Sequence, residues 1–247
     1  MEVLFLLSHH KAPLMIAEMA QILDIPKSTL YRIIRTLNDY GLVEEIDSSG
    51  HYKLGYRTLV LARSVEEQDL LIKIALPEMR KLADISKETI LLTTIVNDKS
   101  ICIERVESDA PIKLTSEKGR IMPLHAGASG KVILAFLPPK KRYHLIYETP
   151  LEALTERTIT EPQKLEADLE KIRENGYAFS NSEMNVGASA VAAPIFDDRK
   201  SVIGGLTIAG PEQRMNRKRL PSLINMVKNA TNRITSLIIS NLRHEEK

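Results

Sequence analysis

Apolar residues recur at helical spacing in the first forty positions, alternate in short runs further on, and return to helical spacing at the end. Leu30, Ile33, Ile34 and Leu37 stand at i, i+3, i+4 and i+7, which at roughly 100° per residue makes one stripe. Ile16, Met19, Ala20 and Leu23 repeat that spacing, and residues 3–8 form an earlier apolar helix. Lys11, Ala12, Pro13 and Leu14 read as a turn. Asp24, Ile25 and Pro26 break the chain between the second and third helices, the arrangement of a helix-turn-helix. Gly41 suits the position just past the third helix. Residues 42–46 and 51–54 then alternate around Asp47, Ser48, Ser49 and Gly50, which predicts a β-hairpin beside the helices, a candidate wing.

Residues 57–74 contain neither Gly nor Pro and predict a connecting helix, with Pro77 opening another over 78–84. Strands are predicted over 89–96 and 100–106, joined at Asn97, Asp98 and Lys99, and over 112–116. Residues 119–124 lead into a small-residue loop, 125–130, followed by a helix over 131–137 that Pro138 and Pro139 stop. Thr160 is placed to cap a helix over 161–175, with Pro162 in its first turn and Gly176 after it. Strands over 177–182, 189–196 and 201–209 and a helix over 221–242 complete an α+β chain. At 247 residues two domains are expected.

The third helix carries its chemistry on the face opposite the stripe. Lys27, Ser28, Thr29, Tyr31, Arg32 and Arg35 lie there, with no acid between Lys27 and Thr36. Arg grips phosphate or a guanine edge, and hydroxyls at a helix start suit phosphate oxygens. Charge sum does not decide the matter: the chain carries 34 basic and 32 acidic residues, net +2. An ordinary amphipathic surface helix has the same pattern. The order helix, turn, helix, hairpin weights it toward DNA, with His51 and Lys53 on the wing as further backbone contacts. A protein-binding winged helix is the competing reading.

Apolar residues make up 43% of the chain, and no run approaches the 18 or so that span a bilayer. The first seven residues include Glu2 and no basic region, unlike a signal peptide. Cys102 is the only cysteine and sits in an alternating run, where a buried strand residue is expected. These features favour a reducing cytoplasm. No Gly-x-Ser-x-Gly elbow, no His-Glu-x-x-His and no thiolate set is present, so no catalytic residue, metal or cofactor is expected. A phosphate loop at Gly130 and Lys131 fails, because His125 stands where its first Gly belongs and Val132 where a hydroxyl should hold a metal.

Ile25 to Thr29, Tyr31 with Arg32, the wing ending Tyr52, Lys53, Leu54 and Gly55, then Pro123 to Ala126, Gly130 with Lys131, Thr158 to Thr160, Arg173 to Tyr177, Ala193 to Phe196 and Gly210 with Pro211 occur in one order. Together they resemble the IclR-type bacterial transcriptional regulators over essentially the whole chain. The resemblance implies a winged helix-turn-helix over residues 1–56, a linker helix over 57–76 and a GAF-like antiparallel-sheet effector domain over 77–247. It also implies homodimers or tetramers on double-stranded operator DNA, acting as repressors or activators under a small carboxylic acid. Its ligand pocket falls on Leu114 and Met122 as apolar walls, on Ala128 and Ser129 as backbone donors with Gly127 beside them, and on Ser180, Ala190, Thr207 and Ala209. A helix follows that loop, so a ligand carboxylate is expected at its start; a loop small only for packing is the alternative. Family members that resemble glyoxylate or pyruvate sensors have an acid, a thiol and hydroxyls at the last four places. Methyls at Ala190 and Ala209 imply a larger or more apolar acid. The rival function is a catalytic or protein-interaction GAF-like domain bearing a winged helix that does not bind DNA.

Overall fold

The structure is a computed structural model and describes residues 1–245 except Ile112 and Thr115, with side chains described up to Leu242. The chain folds as two compact units, residues 1–69 and 70–247.

In the first unit, α1 (Glu2–His9), α2 (Ile16–Leu23) and α3 (Lys27–Asp39) pack around Val3, Leu7, Met19, Ala20, Leu30, Ile34 and Val43. The stripe read from the sequence is the buried face: Leu30 and Ile34 are fully enclosed. Asp24 takes a left-handed conformation, φ +52°, to end α2, and Pro26 caps α3. Strands β2 (Val43–Ile46) and β3 (His51–Leu54) form the wing. Leu14 and Met15, the first of them expected in a turn, pair with β3 as a two-residue strand, β1. Gly55 abuts Gly41 so closely that a Cβ on Gly55 would lie 2.2 Å from the Gly41 carbonyl oxygen.

α4 (Arg57–Gln68) leaves the wing. It buries no side chain, and Leu59, Val60, Leu61 and Val65 are exposed. The continuous helix expected over 57–74 is not formed. Asp69 is extended, and α5 (Leu70–Ser86) begins after it with Pro77 inside rather than at its start. Packing explains why Pro77 is tolerated: Ile72, Ala75, Met79 and Leu82 bury one face of α5 against the sheet and the last helix, which outweighs the hydrogen bond that proline removes.

The second unit is a six-stranded antiparallel sheet ordered β6-β5-β4-β9-β8-β7. The strands are β4 (Thr89–Val96), β5 (Lys99–Val106), β6 (Ile121–Met122), β7 (Ala178–Asn181), β8 (Ala188–Phe196) and β9 (Val202–Pro211). Alternation assigns their faces. Ile90, Leu92, Val191, Leu206 and Ile208 meet α5 and α9 (Leu220–Glu245). Ala178 and Ala192 meet α6 (Gly127–Phe136) and α8 (Pro162–Asn175), while Leu91, Cys102, Ala190 and Ala209 gather with Leu114 as a separate cluster. A short α7 (Pro139–Tyr143) and a π-helical turn, His144–Glu148, follow α6; neither was expected. Glu161, not Thr160, occupies the N-cap of α8, because Pro162 is already the first helical residue. The strand expected over 112–116 falls partly on Ile112 and Thr115, outside the described residues; Lys113, Leu114 and Ser116 are not in a strand.

Candidate functional site

On α3, Lys27, Ser28, Thr29, Tyr31, Arg32 and Arg35 are all exposed on one side, opposite Leu30 and Ile34. Among the described residues none of the three cations is in an ion pair. The wing is differently placed. Lys53 pairs with Glu44 at 3.2 Å and lies over the Tyr56 ring, 5.5 Å from its centre. His51 is engaged through Nδ1 with Ser49. Acids gather at the far end of the helix: Glu45, which also accepts the Gly50 N–H at 2.9 Å, lines a groove with Tyr31, Arg35, Asp39 and Tyr52. Burial and the Glu45 charge push the Tyr52 phenol up. The positive charge is thus concentrated in the first turns of α3. Arg57 is structural: its Nη1 donates to Tyr40 O at 3.2 Å and its stem packs on Gly41.

In the second unit a cavity of about 90 Å³ opens between α6, the β4–β9–β8 face and the β5–β6 segment. That is several times the roughly 10–15 Å³ that one water needs. It exists because residues facing each other across it are small: Gly127, Ala128 and Ser129 on α6, Ala190 and Ala209 on the sheet. All nine positions that the resemblance implies line it, namely Leu114, Met122, Gly127, Ala128, Ser129, Ser180, Ala190, Thr207 and Ala209. Thr89, Ser100, Ser116, Arg120, Asn185 and Ser189 line it too and were not anticipated from the sequence. The cavity is therefore richer in hydroxyls than Ala190 and Ala209 implied.

Of the loop expected over 125–130, residues 127–130 are in fact the first turn of α6, which starts at Gly127. Its leading donors are taken from within the chain. Gly127 N–H donates to Glu183 Oε2 at 3.1 Å, and Ala128 N–H to Ser180 Oγ at 3.1 Å. The carboxylate that the helix start attracts belongs to the protein itself. Glu183 is held in turn by Lys131, which is 1% exposed and bonds Glu183 Oε1 at 2.6 Å and Asp168 Oδ2 at 2.8 Å. Thr158 Oγ1 donates to the Glu183 carbonyl at 2.7 Å. Ser129 and Thr207 hydroxyls bond each other at 2.8 Å inside the cavity.

Cys102 forms part of the cavity floor's apolar cluster, and burial pushes its thiol up to about 11, so it stays neutral and un-nucleophilic near neutral pH. Among the described residues no group of three His, Cys, Asp or Glu side chains could hold a metal, and no helix is long and apolar enough to cross a membrane.

A cationic helix face beside a wing, joined in one chain to a sheet domain with a polar-apolar cavity, defines a ligand-responsive DNA-binding regulator. Residues 62–236 match the bacterial transcriptional regulator IclR C-terminal family and residues 1–47 the IclR helix-turn-helix domain. The chain belongs to the IclR family of transcriptional regulators, and is not an enzyme. It is 34% identical to the HTH-type transcriptional regulator KipR of Bacillus subtilis (strain 168), over 93% of this chain and 91% of that one. It is 33% identical to the HTH-type transcriptional regulator KdgR of Escherichia coli (strain K12), over 90% and 84%. An IclR transcriptional regulator structure from Alicyclobacillus acidocaldarius superposes with a TM-score of 0.86 at 26% identity, covering 95% of each chain. An IclR homologue from Microbacterium hydrocarbonoxydans, complexed with 4-hydroxybenzoate, shares the fold with a TM-score of 0.77 at 21% identity, covering 92% of each.

Proposed function

We propose that this regulator, a repressor or an activator, has its operator affinity set by a small carboxylic acid bound in the cavity of the second unit. The observation that carries this reading is the cavity itself, part apolar and part hydroxyl-lined, in a domain whose family relative is complexed with 4-hydroxybenzoate. Leu91, Leu114 and Met122 supply apolar wall for a ligand larger than glyoxylate, and Ser129, Ser180 and Thr207 supply hydrogen bonds. Lys27, Ser28, Thr29, Tyr31, Arg32 and Arg35 contact DNA, with the wing residues His51 and Lys53 at the adjoining backbone. Residues 1–56 form the DNA-binding domain, α4 and the start of α5 the linker, and the remainder the effector domain.

The working form is a homodimer or a tetramer of it in the bacterial cytoplasm, where the operator is. The apolar residues of α4 support this, since a helix with Leu59, Val60, Leu61 and Val65 all exposed has no face to bury in its own unit. A dimer sets two α3 helices one DNA turn or a multiple apart. Ligand binding shifts that spacing through the crossing at Asp69 and Leu70, and a coupling of about 1–3 kcal/mol changes operator affinity some 5- to 150-fold.

The test is a DNA-shift titration on the promoter beside this protein's own gene, over a salt series, with and without a panel of carboxylic acids. A specific, salt-dependent shift released by one acid supports the reading. Nonspecific binding unaltered by every acid removes the effector assignment. Sedimentation of Leu61→Glu with Val65→Glu tests the interface, and an unchanged dimer refutes the α4 contact.

A further inference from the structure

The two walls of the cavity differ in what they have left to offer. On the α6 side, the Gly127 and Ala128 N–H groups already have acceptors, and one of these acceptors, Glu183, is a carboxylate. A ligand anion placed there finds the first two donors occupied, one of them by a carboxylate. On the opposite side, the segment between β5 and β6 carries two polar side chains that line the cavity with capacity to spare. Ser116 is 8% exposed, and its Oγ has no nitrogen or oxygen partner among the described residues, only the weakly bonding Cys102 thiol beside it. The Cys102 thiol also donates to Glu104 O at 3.5 Å. Buried hydroxyls without partners are rare in folded proteins and mark a place where a ligand or water completes the bonding. Arg120, at the same end, lines the cavity with no acidic partner among the described residues.

The backbone that carries both residues is pinned. Cys102 N–H donates to Arg120 O at 3.0 Å, Gly119 N–H to Cys102 O at 2.7 Å, and Arg105 Nη1 to Ser116 O at 2.5 Å. The nearby cations are otherwise engaged: Arg105 pairs with Glu107 at 3.0 Å and Lys118 with Glu104 at 2.8 Å. Among the described residues at this end, Arg120 is the cation that lines the cavity without an acidic partner, and it is also exposed to solvent.

We infer that Arg120 and Ser116 bind the carboxylate of the effector, so that the β5–β6 segment and not the start of α6 is the anion-recognising wall. This rests on the reading of the cavity as an organic-acid site. The guanidinium fork matches a carboxylate with two parallel bonds, and the Ser116 hydroxyl adds a third. The rest of the ligand then lies over Leu91, Leu114 and Ala209, and its far end meets the Ser129–Thr207 hydroxyl pair. The effector class is a monocarboxylate with an uncharged hydroxyl or carbonyl at the opposite end. A dicarboxylate is disfavoured, because among the described residues no second cation lines the cavity to meet its second charge.

The experiment is calorimetric titration of the full-length protein with 4-hydroxybenzoate, gluconate, butyrate, succinate and the methyl ester of each monocarboxylate, on wild type, Arg120→Gln, Arg120→Lys and Ser116→Ala. The expected result is one monocarboxylate that binds wild type and loses about 10- to 100-fold in affinity in Arg120→Gln. Arg120→Lys restores part of that loss, Ser116→Ala loses about 3- to 10-fold, and the methyl ester binds wild type and Arg120→Gln alike. Equal affinity of the acid for wild type and Arg120→Gln overturns the inference while leaving the organic-acid reading intact. If none of the acids binds wild type, the organic-acid reading falls and takes this inference with it. The Arg120 Nε–H resonance of the wild-type protein gives an answer that needs no variant: it shifts on adding the bound acid, and a resonance that stays still overturns the assignment.

Discussion

Replacing Lys131 by Met tests whether the α6 start is held from inside. Lys131 makes two charge-assisted bonds, 2.6 Å to Glu183 and 2.8 Å to Asp168. Asp168 is about a third exposed and turns to water when its partner is removed, so it adds little. Glu183 is 8% exposed and would keep only the Gly127 N–H and the neighbouring dipoles to offset its charge. Removing one member of such a pair costs roughly 3–5 kcal/mol. For a unit of this size each kcal/mol moves Tm by about 2–4 °C, so a fall of roughly 6–20 °C is expected. Urea unfolding followed by circular dichroism reads the second unit's transition at pH 7. Lys131→Met with Glu183→Leu should recover part of the loss, since the uncompensated charge is gone, but not all, since the Gly127 N–H then has no acceptor. A loss below about 1 kcal/mol in Lys131→Met, with the denaturant slope unchanged, refutes the reasoning.

Arg32→Ala and Arg35→Ala leave Tm unchanged because both side chains are exposed, and removing one phosphate-neutralising charge lowers the slope of log affinity against log salt by about 0.9; an unaltered slope in both variants puts the DNA surface elsewhere. Gly55→Ala forces backbone apart at the wing, and a loss above roughly 2 kcal/mol in the first unit, with weakened operator binding, is expected by thermal unfolding. Hydrogen bonds from Lys81 and Arg233 hold the Glu78 carboxyl below its usual range. Its folded pKa is depressed, so the stabilisation is present above the unfolded value of about 4.3 and is lost as pH falls through the lower folded value. Glu78→Gln should therefore cost stability at pH 7 and progressively less below pH 4, whereas a constant cost would exclude the ion pairs as its source.

What the sequence made legible was local. The α3 stripe, the Asp24–Pro26 break, the wing turn and the alternation of β4, β8 and β9 are each written within a dozen neighbouring residues, and the structure forms them. Where structure departed, distant partners decided. Gly127, Ala128, Ser129 and Gly130 make a weak helix start on propensity, yet they are helical because Glu183 and Ser180, more than fifty positions away, accept the first N–H groups. Pro77 lies inside a helix because packing on the sheet overrides its local preference. The break at Asp69 carries no Gly or Pro to announce it. The cavity positions that the resemblance implies do converge in space, but Ser116 and Arg120 lie in a segment with no periodicity, and only the fold brings them to the opposite wall.

The internal carboxylate at α6 separates two duties that many binding sites combine. Because Glu183 and Ser180 satisfy the helix start from within the chain, the residues that shape the guest's space, Ala190 and Ala209, carry no such share of the framework. A lineage of these proteins can exchange those two methyls for hydroxyls, thiols or larger groups, and drift from one metabolite to another, while the internal bonds that hold the α6 start are inherited unaltered.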